Sequence, residues 1–270
     1  MPRAHTGRGL AILATLLGLV GCGGGDSDDR KAVRAYIEQA NAIQLDGSDG
    51  LDAANAAYVA YSRGELGAAT AVQRLTTAGD DLRAVRADLA ALEAPAPARD
   101  LRAKLLGVFD ADVALATEAE QLAAYTPAAG RAMAPLDSAS TRLRAALADA
   151  PDPEAQGEAL ERYSAVLERL EEAMRELEPP PVLLDSHRTQ MLRLRTARRL
   201  SGRLRAAIAA ADAVRISSLL RRFAAVNATS AQDLVLQRAS VRAYRQRVRA
   251  VSLAIGDARR AQARLEQRLG

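Results

Sequence analysis

Leu82-Arg83-Ala84-Val85-Arg86-Ala87-Asp88-Leu89-Ala90-Ala91-Leu92-Glu93-Ala94-Pro95 and, further along the chain, Leu167-Glu168-Arg169-Leu170-Glu171-Glu172-Ala173-Met174-Arg175-Glu176-Leu177-Glu178-Pro179-Pro180 are the stretches that decide the fold. Leu82, Val85, Leu89 and Leu92 recur at spacings of three and four, and so do Leu167, Leu170, Met174 and Leu177. That period lays one apolar stripe along one face of an α-helix. Each stretch then runs into a proline corner, Glu93-Ala94-Pro95 or Glu178-Pro179-Pro180. Proline cannot donate to the helix ladder and pushes its predecessor out of the helical region, so the chain must turn at both corners.

The register continues past the corners without a gap. Asp100 matches Asp185, and Leu106, Phe109, Leu115 and Ala119 match Met191, Leu194, Leu200 and Leu204. Asp112 against Ala197 is the exception on the stripe. Two arms whose stripes face each other across a corner form a helical hairpin. One hairpin cannot cover its own stripe, so each needs a third arm. The expected fold is all-α, an antiparallel helical bundle built from a duplicated helical-hairpin unit, with a constant offset of 85 in residue number between the copies. The bundle is expected over 31–270, with repeats at about 66–150 and 151–270.

Composition agrees with a helical chain. Aromatic residues make up 3%, Trp is absent, and the strong helix formers dominate. The spacing predicts helices near 30–44, 51–62, 66–93, 98–125, 128–149, 154–178, 183–211, 213–226 and 230–268. Thr126-Pro127 and Asp152-Pro153 place a capping side chain before a proline at the first helical position. Asp212 is a further cap, and Ser230 with Asp233 resembles a capping box with a shorter acid. The last helix carries a stripe at Val241, Tyr244, Val248, Val251, Ile255, Ala258, Gln262, Leu265 and Leu269, an apolar seam of the bundle or coiled-coil kind.

The first two dozen residues have a different character. Arg3 and Arg8 precede an apolar stretch, Leu10 to Val20, and that stretch ends in Leu19-Val20-Gly21-Cys22. Charge, apolar segment and small-residue cleavage site follow in signal-peptide order. Leu10 to Val20 is much shorter than the roughly 20 apolar residues that span a bilayer. The run Leu19-Val20-Gly21-Cys22 resembles the lipobox of bacterial lipoproteins. The resemblance implies a cleaved signal peptide at 1–21, a diacylglycerol on the Cys22 sulfur, and a protein held at the extracytoplasmic face of a cell membrane. Two or three acyl chains on one cysteine hold firmly where one holds marginally. Cys22 is the single cysteine, so no disulfide is expected. Residues 22–30, with Gly23-Gly24-Gly25-Asp26-Ser27-Asp28-Asp29, are expected to form the lipidated cysteine and a flexible tether.

Acidic clusters and charge bear on partners. Asp46-Gly47-Ser48-Asp49-Gly50-Leu51-Asp52 superficially resembles a calcium loop, but Gly50 stands where a third ligand belongs and Ala57 where the bidentate glutamate belongs. A turn between two helices is expected there. From Ser186 to Gly270 there are 19 arginines, no lysine and four acids, a net of +15, whereas residues 23–185 carry −13. Two arrangements follow. The basic and acidic parts pack and neutralise each other, or the basic face meets an anionic lipid or an envelope polymer. Nucleic acid is a poor fit, because few aromatics are present to stack bases.

Catalytic constellations are sparse. Beyond the signal segment there is one histidine, His187, too few for a zinc site, and no metal or cofactor is expected. Asp185-Ser186-His187 contains triad residue types, but neighbours on one helical turn cannot align as a relay. His187 is expected at the surface or the bundle edge. Lys31 and Lys104 do not follow a serine by three, and no phosphate-binding glycine loop is present. Asn227-Ala228-Thr229 fits a glycosylation sequon but is more simply a break between helices. The expectation is a non-catalytic, lipid-anchored envelope protein with a binding or structural role. The alternative is a small-ligand or solute-binding lipoprotein with a cavity between helices.

Overall fold

The computed structural model describes residues 27–227 and 230–269, with side chains over 28–226 and 245–269. Among them there is no strand. The helices are α1 (Ser27–Ser62), α2 (Ala68–Ala91), α3 (Arg99–Met133), α4 (Pro135–Asp149), α5 (Pro153–Arg175), α6 (Leu184–Ala209), α7 (Ala213–Asn227) and α8 (Ser230–Leu269). The fold is an all-α helical bundle.

The repeat is visible element by element. α2 begins at Ala68 and α5 at Pro153, and α3 begins at Arg99 and α6 at Leu184, so both pairs of arms keep the offset read from the sequence. Between the arms lie two 3-10 turns, Ala96–Ala98 and Pro181–Leu183, in the same register. Pro95 and Pro180 share nearly the same backbone angles, φ −59° ψ 154° and φ −60° ψ 153°. Each closes its turn with one bond: Ala98 N donates to Pro95 O and Leu183 N to Pro180 O, both at 2.8 Å. The buried faces coincide as well. Leu75, Ala78, Leu82 and Leu89 match Leu160, Tyr163, Leu167 and Met174. Beyond the corner, Phe109, Leu115, Ala119 and Leu122 match Leu194, Leu200, Leu204 and Ala207. The third arms are α1, packed on α2, and α4, packed on α5, with Ala54 and Ala139 buried at equivalent positions. Truncating any fully buried leucine of this set, such as Leu82 or Leu167, to alanine costs about 3 kcal/mol.

The contacts gather into two compact units. One comprises the described part of Met1–Glu120 and Arg247–Gly270, the other Gln121–Gln246. α3 and α8 each contribute to both. In the first unit α1, α2 and α3 surround a core that Val251, Ala258 and Leu265 of α8 help to close. In the second, Leu160, Leu167, Met191 and Leu200 form the centre of a cluster. Ile216 and Phe223 of α7 and Ala129, Ala132 and Met133 of α3 pack onto it. The α8 seam is partly as expected. Val251, Ala258 and Leu265 are buried, Val248 is 40% exposed, and the side chains of Val241 and Tyr244 lie outside the described residues.

Two expected breaks do not form. Asp46–Asp52 is helix within α1, not a turn. A Cβ on Gly47 would lie 2.4 Å from Phe109 Cε1, and one on Gly50 would lie 3.3 Å from Leu82 Cγ. These glycines let α1 approach α2 and α3 closely; they do not reverse the chain. Thr126-Pro127 does not start a helix either, because Pro127 sits inside α3. The cost of an interior proline, about 3 kcal/mol for the lost bond and the ring clash together, is offset by continuing one apolar face from Leu122 and Ala123 to Ala129 and Met133. The break comes at Ala134, and Pro135 opens α4. Two further caps form: Asp152 accepts from Ala155 N at 2.8 Å and Asp212 from Arg215 N at 3.0 Å; the side chains of Ser230 and Asp233 lie outside the described residues. α6 ends in a Schellman motif. Ala211, at φ 51°, donates to Ile208 O at 3.0 Å, and Asp212 N donates to Ala207 O at 3.1 Å.

Candidate functional site

Leu19, Val20, Gly21 and Cys22 lie outside the described residues, as do Ala228 and Thr229 of the sequon. α1 opens at Ser27, inside the stretch expected to be a tether, with Asp28 and Asp29 in its first turn. Carboxylates there meet the positive end of the helix dipole, which favours helix from that point on.

The second unit brings Tyr125 and His187 to one place. The Tyr125 hydroxyl and His187 Nδ1 lie 2.9 Å apart, with the rings edge to face. His187 is thus half-buried against α3. Burial lowers its pKa, which keeps the imidazole neutral at neutral pH. Asp185 does not orient it, because its carboxylate pairs with Arg188 at 3.7 Å. A tyrosine and a neutral imidazole can share a proton but do not make a nucleophile–base–acid relay.

The first unit holds the more unusual chemistry. Glu118 is 4% exposed, and burial raises its pKa against the opposing effect of the Arg247 guanidinium, which pairs with it from α8. Tyr58 lies close enough for the Glu118 charge to act on it. Arg102 donates to the Ala90 carbonyl across the proline corner, and its charge acts on buried Tyr36. Asp112 is 4% exposed in the middle of the α3 core face, and burial pushes its pKa to about 7. Among the described residues, Asp112 Oδ1, Glu118 Oε1, Tyr36 OH and Arg102 Nε are buried without a hydrogen-bond partner. Arg102 and Glu118 stand more than four helical turns apart on α3, a rise of about 24 Å, with Asp112 between them. They are separate sites and do not form one pocket.

Paired charges line both hairpins. In the second, Glu171 is held by Arg195 at 2.7 Å, Arg175 at 3.0 Å and Arg198 at 3.6 Å. Burial opposes ionisation, but the Arg195 hydrogen bond and the neighbouring arginine charges outweigh it and lower the pKa. Glu168–Arg198 at 2.6 Å and Glu161–Arg205 at 2.9 Å join the same two arms. The first hairpin is joined by Arg86–Asp110 at 2.6 Å and by Thr76 Oγ1 donating to Glu120 at 2.9 Å. Arginines 195, 198, 205 and 247 of the basic segment are therefore neutralised by acids that precede Ser186. Others are not. Among the described residues no ion pair engages Arg215, Arg221 or Arg222 on α7, or Arg249, Arg264 or Arg268 on α8, and all six are exposed.

Among the described residues no group of three or more His, Cys, Asp or Glu could hold a metal ion, and no helix is long and apolar enough to cross a membrane. No protein family, curated protein or solved structure matches this chain.

Proposed function

We propose that this chain is a lipid-anchored, extracytoplasmic helical-bundle protein with a non-catalytic binding or structural role at the cell envelope. The observation that carries the reading is Leu19-Val20-Gly21-Cys22 after a short apolar stretch. Four residues separate Cys22 from Ser27, the first described residue of α1. Fully extended, the link reaches at most about 18 Å. An acylated Cys22 would therefore hold α1 against the bilayer. The partner is anionic lipid headgroup or envelope polymer, met by the arginines of α7 and α8 that no acid neutralises among the described residues. Each cation close to an anionic surface adds about 1 kcal/mol.

Mass spectrometry of the membrane fraction tests the anchor. The expected product begins at an acylated Cys22, and Cys22→Ser releases the protein. A free thiol on a soluble chain overturns it. Vesicles test the surface separately. The Cys22→Ser chain is expected to bind anionic vesicles at low salt and to lose them at high salt, and Arg215, Arg221 and Arg222 changed together to Gln weaken that binding. No binding under either condition removes the anionic partner and leaves the anchor standing.

A further inference from the structure

The arm-to-arm bridges of the two hairpins occupy the same places with opposite polarity. Arg86–Asp110 and Glu171–Arg195 are equivalent in the repeat register at both ends, and so are Thr76–Glu120 and Glu161–Arg205. In the first hairpin both acids, Asp110 and Glu120, are on α3, and their partners on α2 are the Arg86 guanidinium and the neutral Thr76 hydroxyl. In the second the acid is on α5 and the base on α6. We infer that this reversal specifies which arms pair, keeping the two copies of one hairpin from exchanging partners within a chain or with a second copy of it.

A duplicated hairpin needs such a device. The apolar faces of α2 and α5 carry buried residues at matching positions, and so do those of α3 and α6. The two corners share backbone angles and turn bonds. Hydrophobic pattern therefore offers α2 either α3 or α6, with Ala78 against Tyr163 as the main contrast in size. Charge does not offer that choice. In the register of the native bridges, α2 against α6 would oppose Arg86 to Arg195 and Arg83 to Arg198. α5 against α3 would oppose Glu171 to Asp110 and Glu161 to Glu120. Glu171 would also lose Arg195 and Arg198 while remaining buried. A single exposed pair shifts a population only about two- to five-fold. Four opposite-charge contacts replaced together by four like-charge ones multiply to more than about tenfold. Using repulsion against the wrong partner is how coiled-coil pairs are also told apart.

The test recodes the first hairpin to the polarity of the second: Thr76→Glu, Arg86→Glu, Asp110→Arg and Glu120→Arg in the full chain with Cys22→Ser. Its native bridges keep opposite charges, but α2 now suits α6 and α3 suits α5. Parent and recoded chains are unfolded in urea and refolded at low salt. The fraction returning as monomer with the parent's thermal midpoint is measured by size exclusion and calorimetry. The recoded chain is expected to lose at least half of that fraction to dimers and to a second monomeric species. Its purified native monomer is expected to unfold within a few degrees of the parent. Equal recovery overturns the inference. So does a recoded monomer that melts much earlier, which would place the loss in a weakened hairpin and not in a lost pairing rule.

Discussion

Arg195 on α6 donates to Glu171 on α5 at 2.7 Å, the place where Asp110 and Arg86 meet in the first hairpin at 2.6 Å. The two bridges differ in surroundings as well as in polarity. Arg86–Asp110 is exposed on both sides, whereas the Glu171 side chain is 5% exposed. Exposed pairs are worth about 0–1 kcal/mol. A buried carboxylate that loses a partner costs more.

Arg195→Ala is expected to destabilise the second unit by about 1–2 kcal/mol, since Arg175 and Arg198 still cover part of the Glu171 charge. Arg86→Ala is expected to cost under about 1 kcal/mol. Urea titrations of the two variants check the contrast. The Glu171 pKa is lowered in the folded chain. Its contribution is therefore present above the ordinary carboxylate range and lost as pH falls through the folded pKa. The cost of Arg195→Ala should shrink below about pH 4.

Asp112 has the opposite sign. Its folded pKa, about 7, stands above the unfolded value of 3.8. The protonated, folded form is favoured at low pH, so stability from this residue is full below the unfolded value. It falls as pH rises towards 7 and is flat above that. The loss is at most about 4 kcal/mol. Asp112→Ala installs the residue found at Ala197 and is expected to stabilise the chain at pH 8 by a few kcal/mol and little at pH 4. Thermal melts across that range decide it, and an equal effect at both pH values would contradict the assignment.

Gly47 and Gly107 should respond in opposite directions to the same substitution. At Gly107, exposed in α3, a Cβ meets nothing within 4 Å. Gly107→Ala should therefore gain about 1 kcal/mol from helix propensity. At Gly47 the Cβ would lie 2.4 Å from Phe109 Cε1. Gly47→Ala is expected to lose about 1–3 kcal/mol by forcing α1 away from the ring. Melting temperatures of the two single variants settle the comparison.

Ala211 occupies the left-handed position of the α6 Schellman motif at φ 51°. Gly64 fills the equivalent role after α1 at φ 74°. Ala211→Gly removes the steric cost of that conformation and is expected to stabilise by about 0.5–1 kcal/mol. A loss of stability would mean that the turn is held by something other than its backbone angles.

The repeat and its corners were legible because proline chemistry and helical period are local. Each acts within a few residues, and at Pro95 and Pro180 the turn closes with one local backbone bond. The errors came from residues whose role is set by another helix. Gly47 and Gly50 have turn composition, but Phe109 and Leu82, far along the chain, decide their use. Pro127 has the look of a start signal until the apolar face running on to Met133 is seen to pack. Asp112 stood out only as a mismatch with Ala197, and its burial needed the fold. The bridges were present as letters at positions 86, 110, 171 and 195, but only the hairpin geometry pairs them. The same holds for Tyr125 and His187, which lie on different helices.

The uninterrupted course of α1 from Ser27 has a mechanical corollary. With acyl chains on Cys22, as proposed, a pull on the lipid would reach a rigid rod only a few residues along the chain. The load would enter the interior at Val33, Tyr36 and Ile37, the first sealed positions on that rod. Tension in the envelope would be felt by the packing of the first unit almost as soon as it arose.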